Sequence, residues 1–232
     1  MAYNLKDEGE VKAYLENLYT EYQFGCYSEK SPEACHLLAD YMESVQQKFA
    51  DAAKVYKMNC DKLNFGKSCG KYGGYRAAGK SEQKQDSKDG YAYLKKGCEL
   101  EDPKSCFMAG ALLLSGEDIG IDKPTRIKQG IEFLKKGCDE YQVEYACSYL
   151  CGIYLGSIKD DVAVDFKKAF EYTVKSCELG NPYGCANLSQ MYRKGDGTEK
   201  NPTLAETFKK RAELLHAELT KSQKQLKFHQ GI

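Results

Sequence analysis

Along this chain the small, apolar and charged positions recur in register with cysteine. Eight residues before Cys60, Cys98, Cys138 and Cys177 stands a small residue: Ala52, Gly90, Gly130 or Ala169. Seven and five residues before three of these cysteines stand large apolar or aromatic residues: Tyr91 and Tyr93, Ile131 and Phe133, Phe170 and Tyr172. Lysines crowd the following turn (Lys95, Lys96, Lys135, Lys136, Lys175), where cations offset the negative end of a helix dipole. The spacing predicts an amphipathic helix that ends near each cysteine. The first unit is less regular. Leu18 occupies the small-residue position before Cys26, yet Val11, Leu15 and Leu18 still mark a helix over residues 8 to about 24.

A second register runs from Cys35, Cys69, Cys106, Cys147 and Cys185. Four residues on, each unit has a small residue: Ala39, Gly73, Gly110, Cys151 or Ser189. Ten residues on, three units have glycine: Gly79, Gly116 and Gly195. A small residue one turn into a helix lets a neighbour approach closely, and a glycine at its end suits a left-handed cap. The second cysteine is therefore expected to open a second helix of about ten residues. Pro32, Pro103 and Pro182 fall between the two registers, where proline suits a turn or a first helical position.

Ten of the eleven cysteines thus form five pairs: Cys26/Cys35, Cys60/Cys69, Cys98/Cys106, Cys138/Cys147 and Cys177/Cys185. Constant spacing across a turn predicts a disulfide within each hairpin. Each would close a loop of about ten residues and contribute ~2.7 kcal/mol in a chain-entropy picture. Cys151 is left as a free thiol in a slot that small residues fill elsewhere. First cysteines advance by 34, 38, 40 and 39 positions, a period that marks stacked supersecondary units. The expected fold is all-α, an α/α repeat solenoid forming a right-handed superhelix of about eleven helices. Residues 1–219 form one solenoid of five stapled pairs and a capping helix over 204–219, with a frayed polar tail over 220–232.

Composition narrows the function classes. The 34 Lys and Arg balance 34 Asp and Glu, so no basic excess exists for nucleic acid. No apolar run approaches the ~20 residues of a membrane helix. Eighteen tyrosines suit helix interfaces, where the ring packs and the hydroxyl reaches water. Zinc is not expected, because structural zinc pairs are separated by about two to four residues. Only Cys147 and Cys151 come near that spacing. His36, His216 and His229 stand in no metal or haem attachment motif, and no catalytic set can be assembled from scattered residues. The charge runs over 80–89 and 221–227 read as solvated loop and tail.

The segment 168–197 (KAFEYTVKSCELGNPYGCANLSQMYRKGDG) and its continuation over 198–216 resemble the Sel-like repeat family, a variant of the tetratricopeptide class. With the cysteine layout and the short acidic N-terminus, they are similar to the mitochondrial group of cytochrome c oxidase assembly factors within it. A bacterial branch of secreted cysteine-rich proteins carries a regular Gly-x-Gly-Val-x-Lys-Asp loop. Only residues 195–200 approach that loop, and residues 80–88 and 117–126 depart from it. The resemblance implies a non-enzymatic, monomeric scaffold that binds protein clients, copper-delivery proteins among them, during biogenesis of cytochrome c oxidase. It also implies haem or copper handling, but no local motif identifies ligands; His36 with a nearby methionine such as Met42 is a guess set against ordinary surface and core roles. No other cofactor is indicated.

Paired cysteines call for an oxidising compartment. The N-terminal stretch MAYNLKDEGEVKAYLE has no basic and apolar signal regions and no Arg-rich presequence. The resemblance resolves the conflict by placing the chain in the mitochondrial intermembrane space, where helical cysteine hairpins are trapped by oxidation. A secreted protein without its signal, or a cytosolic one with reduced thiols, stays open as an alternative. So does an enzyme: a thiol–disulfide reductase acting on the clients, or a hydrolase like the bacterial relatives. Cys35, Cys69, Cys106, Cys147 and Cys185 all open helices, a position that favours a reactive thiolate and singles out none of them.

Overall fold

The computed structural model describes residue 4, residues 6–80 and residues 84–229, with backbone alone beyond Lys221. All regular structure among these residues is helical. The helices are α1 (Glu8–Tyr27), α2 (Pro32–Ser44), α3 (Phe49–Leu63), α4 (Gly66–Ala78), α5 (Ser87–Glu99), α6 (Pro103–Leu114), α7 (Lys123–Lys135), α8 (Glu144–Gly152), α9 (Phe166–Glu178), α10 (Pro182–Lys194) and α11 (Pro202–His229). Single π-helical turns, Lys136–Glu140 and Ile153–Ser157, extend α7 and α8. The helices pair as hairpins, α1 with α2 through α9 with α10, and α11 closes the series. Two compact units are present, Met1–Ile121 with α1 to α6 and Asp122–Ile232 with α7 to α11.

Every hairpin turn is built the same way. Five residues before the second cysteine stands one residue in the left-handed region: Lys30 (φ 58°), Asn64 (50°), Glu101 (61°), Gln142 (55°) or Gly180 (89°). The next residue caps the second helix: Ser31, Phe65, Asp102, Val143 or Asn181. Three of these caps use a side chain. Ser31 accepts a hydrogen bond from the Ala34 amide at 3.3 Å, Asp102 from Ser105 at 2.9 Å and Asn181 from Gly184 at 3.0 Å. Pro32, Pro103 and Pro182 then take the first helical position, where a missing N–H costs nothing. Cysteine separations of eight or nine thus differ only before the left-handed residue, at the end of the first helix.

The five cysteine pairs lie within their hairpins as disulfides, with Cα–Cα distances from 4.4 to 4.9 Å. Small flanking residues make that approach feasible. A Cβ on Gly25 would stand 2.7 Å from the Ala34 Cβ, and one on Gly97 would stand 2.8 Å from the Ser105 Cβ. In the second hairpin Asn59 and Ser68 take these places and bond instead, Nδ2 donating to Oγ at 2.8 Å. Asn59 Nδ2 also reaches the Pro32 carbonyl at 2.8 Å and ties this hairpin to the preceding turn.

Within each unit, successive hairpins meet through their small-residue positions. Gly73 of α4 and Gly90 of α5 face each other; Ser189 of α10 donates to the Ala205 carbonyl of α11 at 2.6 Å. Around these junctions, Leu38, Met42, Val55, Tyr56, Tyr72 and Tyr75 form the core of the first unit. In the second unit the Cys177 and Cys185 pair packs with Leu188, Phe170, Tyr192, Phe208 and Leu215.

Some boundaries differ from the sequence expectation. Second helices begin three residues before the second cysteine, because the cap rather than the cysteine starts them, and α2, α4 and α10 span 13 residues each. The charged loop after Lys80 is shorter than expected, since Asp86 accepts from the Asp89 amide at 2.9 Å and opens α5 at Ser87. Helix α11 runs from Pro202 to His229, past the expected cap boundary at 219, and residues 230–232 of the expected tail lie outside the described residues.

Candidate functional site

The second helices of the first unit, α2, α4 and α6, share one side and enclose a cleft of about 470 Å³. Its lining includes His36 and Glu43 from α2, Lys67, Gly70, Lys71, Gly74 and Tyr75 from α4, Lys80 beyond it, and Asp102, Lys104 and Met108 at and along α6. The glycines let α6 approach. A Cβ on Gly74 would stand 2.8 Å from Met108 Cε, and one on Gly70 would stand 2.9 Å from Asp102 Oδ2.

One end of the cleft is a closed ionic network. Tyr56, fully buried, donates its hydroxyl to Asp40 and stands 3.1 Å from Glu43 Oε2. Lys71 Nζ lies 2.8 Å from Glu43 Oε2 and 3.3 Å from Asp40 Oδ1, and Lys80 Nζ lies 3.1 Å from Glu43 Oε1. Burial alone would raise the Glu43 carboxyl, but hydrogen bonds from Lys71 and Lys80 outweigh it and hold the group at about 2. Burial pushes the Tyr56 hydroxyl well up, and its bond to Asp40 adds to this, so it stays protonated as a donor.

His36 sits beside this network with its ring 5.5 Å from Tyr56 and 5.4 Å from Phe65. Nδ1 is 2.9 Å from Ser68 Oγ, and Nε2 is 3.6 Å from Asp40 Oδ2. Burial lowers its pKa; Asp40 opposes this, while Lys71 and Lys67 reinforce it. The ring is therefore a neutral packing element with both nitrogens facing protein groups. Met42 is 8% exposed within the core. Six positions apart on α2, the two side chains project about 120° apart around the helix. The His36 and Met42 pair thus does not fit as axial ligands of a haem. Among the described residues no group of three or more His, Cys, Asp or Glu could hold a metal ion.

The cysteines provide a different environment. All ten paired cysteines are at most 2% exposed, so no bridge presents an open sulfur. Cys151 is 1% exposed. Its Sγ lies 2.8 Å from Thr173 Oγ1, which also donates to the Ala169 carbonyl at 2.6 Å, and Asn187 Nδ2 reaches it at 3.8 Å. Burial pushes the Cys151 thiol up despite these bonds. A protonated, enclosed thiol acts here as a small packing residue at the α8–α9 junction.

The sequence contains a signal for the cleft that motif spacing did not reveal. Lys67 and Lys104 both stand two residues before a second cysteine, and Lys71 and Met108 both stand two after one. Three of the four equivalents in the second unit are tyrosines, Tyr145 and Tyr183 before the cysteine and Tyr149 after it, exposed by 48, 64 and 47%, and the fourth is Asn187.

Fold and site together define an α/α repeat protein of disulfide-stapled hairpins with a charged cleft along its second helices. The chain belongs to the Sel1 repeat family, in the branch that also holds the cytochrome c oxidase assembly factor 7 proteins. The model of the Sel1 repeat matches residues 68–102, 103–141, 144–181 and 182–208. The hairpins before residue 68 carry the same left-handed turn and cap. Over its full length the chain is 42% identical to the Drosophila melanogaster "Cytochrome c oxidase assembly factor 7 homolog", 98% of which is covered. The human "Cytochrome c oxidase assembly factor 7" is 34% identical, with 97% of each chain covered. Among solved structures, a Sel1 repeat protein from Oxalobacter formigenes aligns with a TM-score of 0.71 at 19% identity over 87% of this chain and 83% of its own. An Escherichia coli antigen described as displaying an SLR fold aligns at 0.72 and 17% identity, over 83% of this chain and 40% of its own. These two likenesses concern the fold alone.

Proposed function

We propose that this chain is a protein-binding scaffold for assembly of cytochrome c oxidase, working with oxidised hairpins in the mitochondrial intermembrane space. The observation that carries this is end-to-end similarity to proteins named cytochrome c oxidase assembly factor 7, at 34 to 42% identity. Five buried disulfides support an oxidising compartment, since such bonds do not persist in the cytosol. Among the described residues no helix is long and apolar enough to cross a membrane. Stacked helix pairs offer an extended surface for clients, with copper-delivery proteins as the proposed class and a monomer as the working form.

The test is a knockout combined with fractionation. Loss of the chain is expected to lower assembled cytochrome c oxidase while other respiratory complexes persist. The tagged chain is expected in the intermembrane space with its cysteine pairs oxidised. Normal oxidase in the knockout, or a chain found in another compartment, would defeat the proposal.

A further inference from the structure

We infer that the cleft between α2, α4 and α6 is a docking site for an extended acidic peptide segment of a client. The inference rests on the scaffold role proposed above and names the chemistry of the partner. Four lysines line the cleft against the carboxylates of Glu43 and Asp102. Glu43 is occupied by Lys71 and Lys80. Asp102 is held as the α6 cap by the Ser105 amide and hydroxyl. Lys67 and Lys104 are left exposed, with no ion-pair partner among the described residues. Both stand in the first turns of their helices, so the dipoles of α4 and α6 add to their positive potential. His36 is neutral and does not offset or reinforce them.

Tyr75, 5% exposed, lines the cleft with its hydroxyl turned to Glu43, so the open charges of the cleft are those of Lys67 and Lys104. Size and surface favour a peptide over a simple anion. About 470 Å³ is far more than one carboxylate fills. The backbone at Gly70 and Gly74 and the thioether of Met108 form a floor without charge, suited to the apolar side chains of an extended segment.

The test uses the purified, oxidised full chain and a fluorescein-labelled peptide of alternating glutamate and leucine, read by fluorescence anisotropy. The peptide is expected to bind at low ionic strength, to weaken as salt rises, and to bind more tightly than its glutamine analogue. The K67E/K104E variant is expected to weaken binding about tenfold or more, roughly 1.4 kcal/mol, with circular dichroism unchanged. K12E/K209E, which reverses two charges elsewhere, is expected to leave binding unchanged. No binding, equal binding by K67E/K104E, equal loss in the control variant, or displacement by inorganic phosphate as readily as by peptide would each overturn the inference. These outcomes are read without oxidase, so an oxidase defect in the knockout alongside no peptide binding would reject the docking site and leave the assembly role standing.

Discussion

Gly73 on α4 and Gly90 on α5 face each other with no space for a methyl group on either. A Cβ on Gly73 would stand 2.8 Å from the Leu94 amide nitrogen and 2.9 Å from the Gly90 carbonyl oxygen; one on Gly90 would stand 2.8 Å from the Ala77 nitrogen. Backbone cannot give way as a flexible side chain does. Gly73→Ala is expected to destabilise the chain by about 1–3 kcal/mol despite the helix propensity that alanine adds. Thermal unfolding is the readout. A midpoint equal to or above that of the wild type would show that the two helices can separate freely.

The repeated left-handed turn residue yields a pair of opposite expectations. Glu101, exposed at φ 61°, pays a steric cost that glycine would not, so Glu101→Gly is expected to stabilise by about 1 kcal/mol. Gly180, at φ 89° in the equivalent place, should behave inversely, and Gly180→Ala is expected to cost about as much. Denaturation midpoints of the two variants moving in the same direction would break the equivalence of the turns.

Cysteine chemistry should divide ten to one. Non-reducing peptide mapping is expected to recover the five intra-hairpin bridges and no link between hairpins. Cys151, buried with its thiol pushed up, is expected to resist iodoacetamide at pH 8 until the chain unfolds. Rapid alkylation of folded protein at Cys151, or any bridge that includes it, would overturn its role as a packing residue.

Acid stability should depend on Glu43. Its folded pKa of about 2 lies below the 4.5 of the free group, so the stabilisation is fully present above about pH 4.5 and is lost as pH falls toward 2. His36, lowered chiefly by burial, acts in the same sense: its contribution is present above the unfolded pKa of 6.5 and lost as pH falls through the folded value. Glu43→Gln is expected to flatten the decline between pH 5 and 2. An unchanged slope in urea titrations across that range would show that the network contributes nothing.

How much of this was legible in the sequence depends on distance along the chain. The hairpins, the cysteine pairing and the small-residue junctions follow from spacing, because helix period, turn length and close approach each act within about forty residues of a repeating pattern. Position 151 reads as a packing slot for the same reason: its equivalents are Ala39, Gly73, Gly110 and Ser189, and Cys151 is buried. The side on which an extra turn residue is absorbed was not legible, since spacings of eight and nine look alike until φ angles show the left-handed residue and cap held at fixed offsets from the second cysteine.

The sequence by itself determined an all-helical repeat of stapled pairs, because local periodicity and covalent spacing leave few other ways to bury these apolar faces. Only the tertiary structure decided the cleft. Glu43 meets Lys80 across 37 residues and Lys71 across 28, and His36 meets Ser68 across 32. Those pairings depend on how one hairpin settles on the next. The same packing takes the His36 nitrogens out of reach of a haem and leaves Lys67 and Lys104 facing open space. Charge at a position is written in the chain, but whether that charge is satisfied depends on neighbours that only folding brings near.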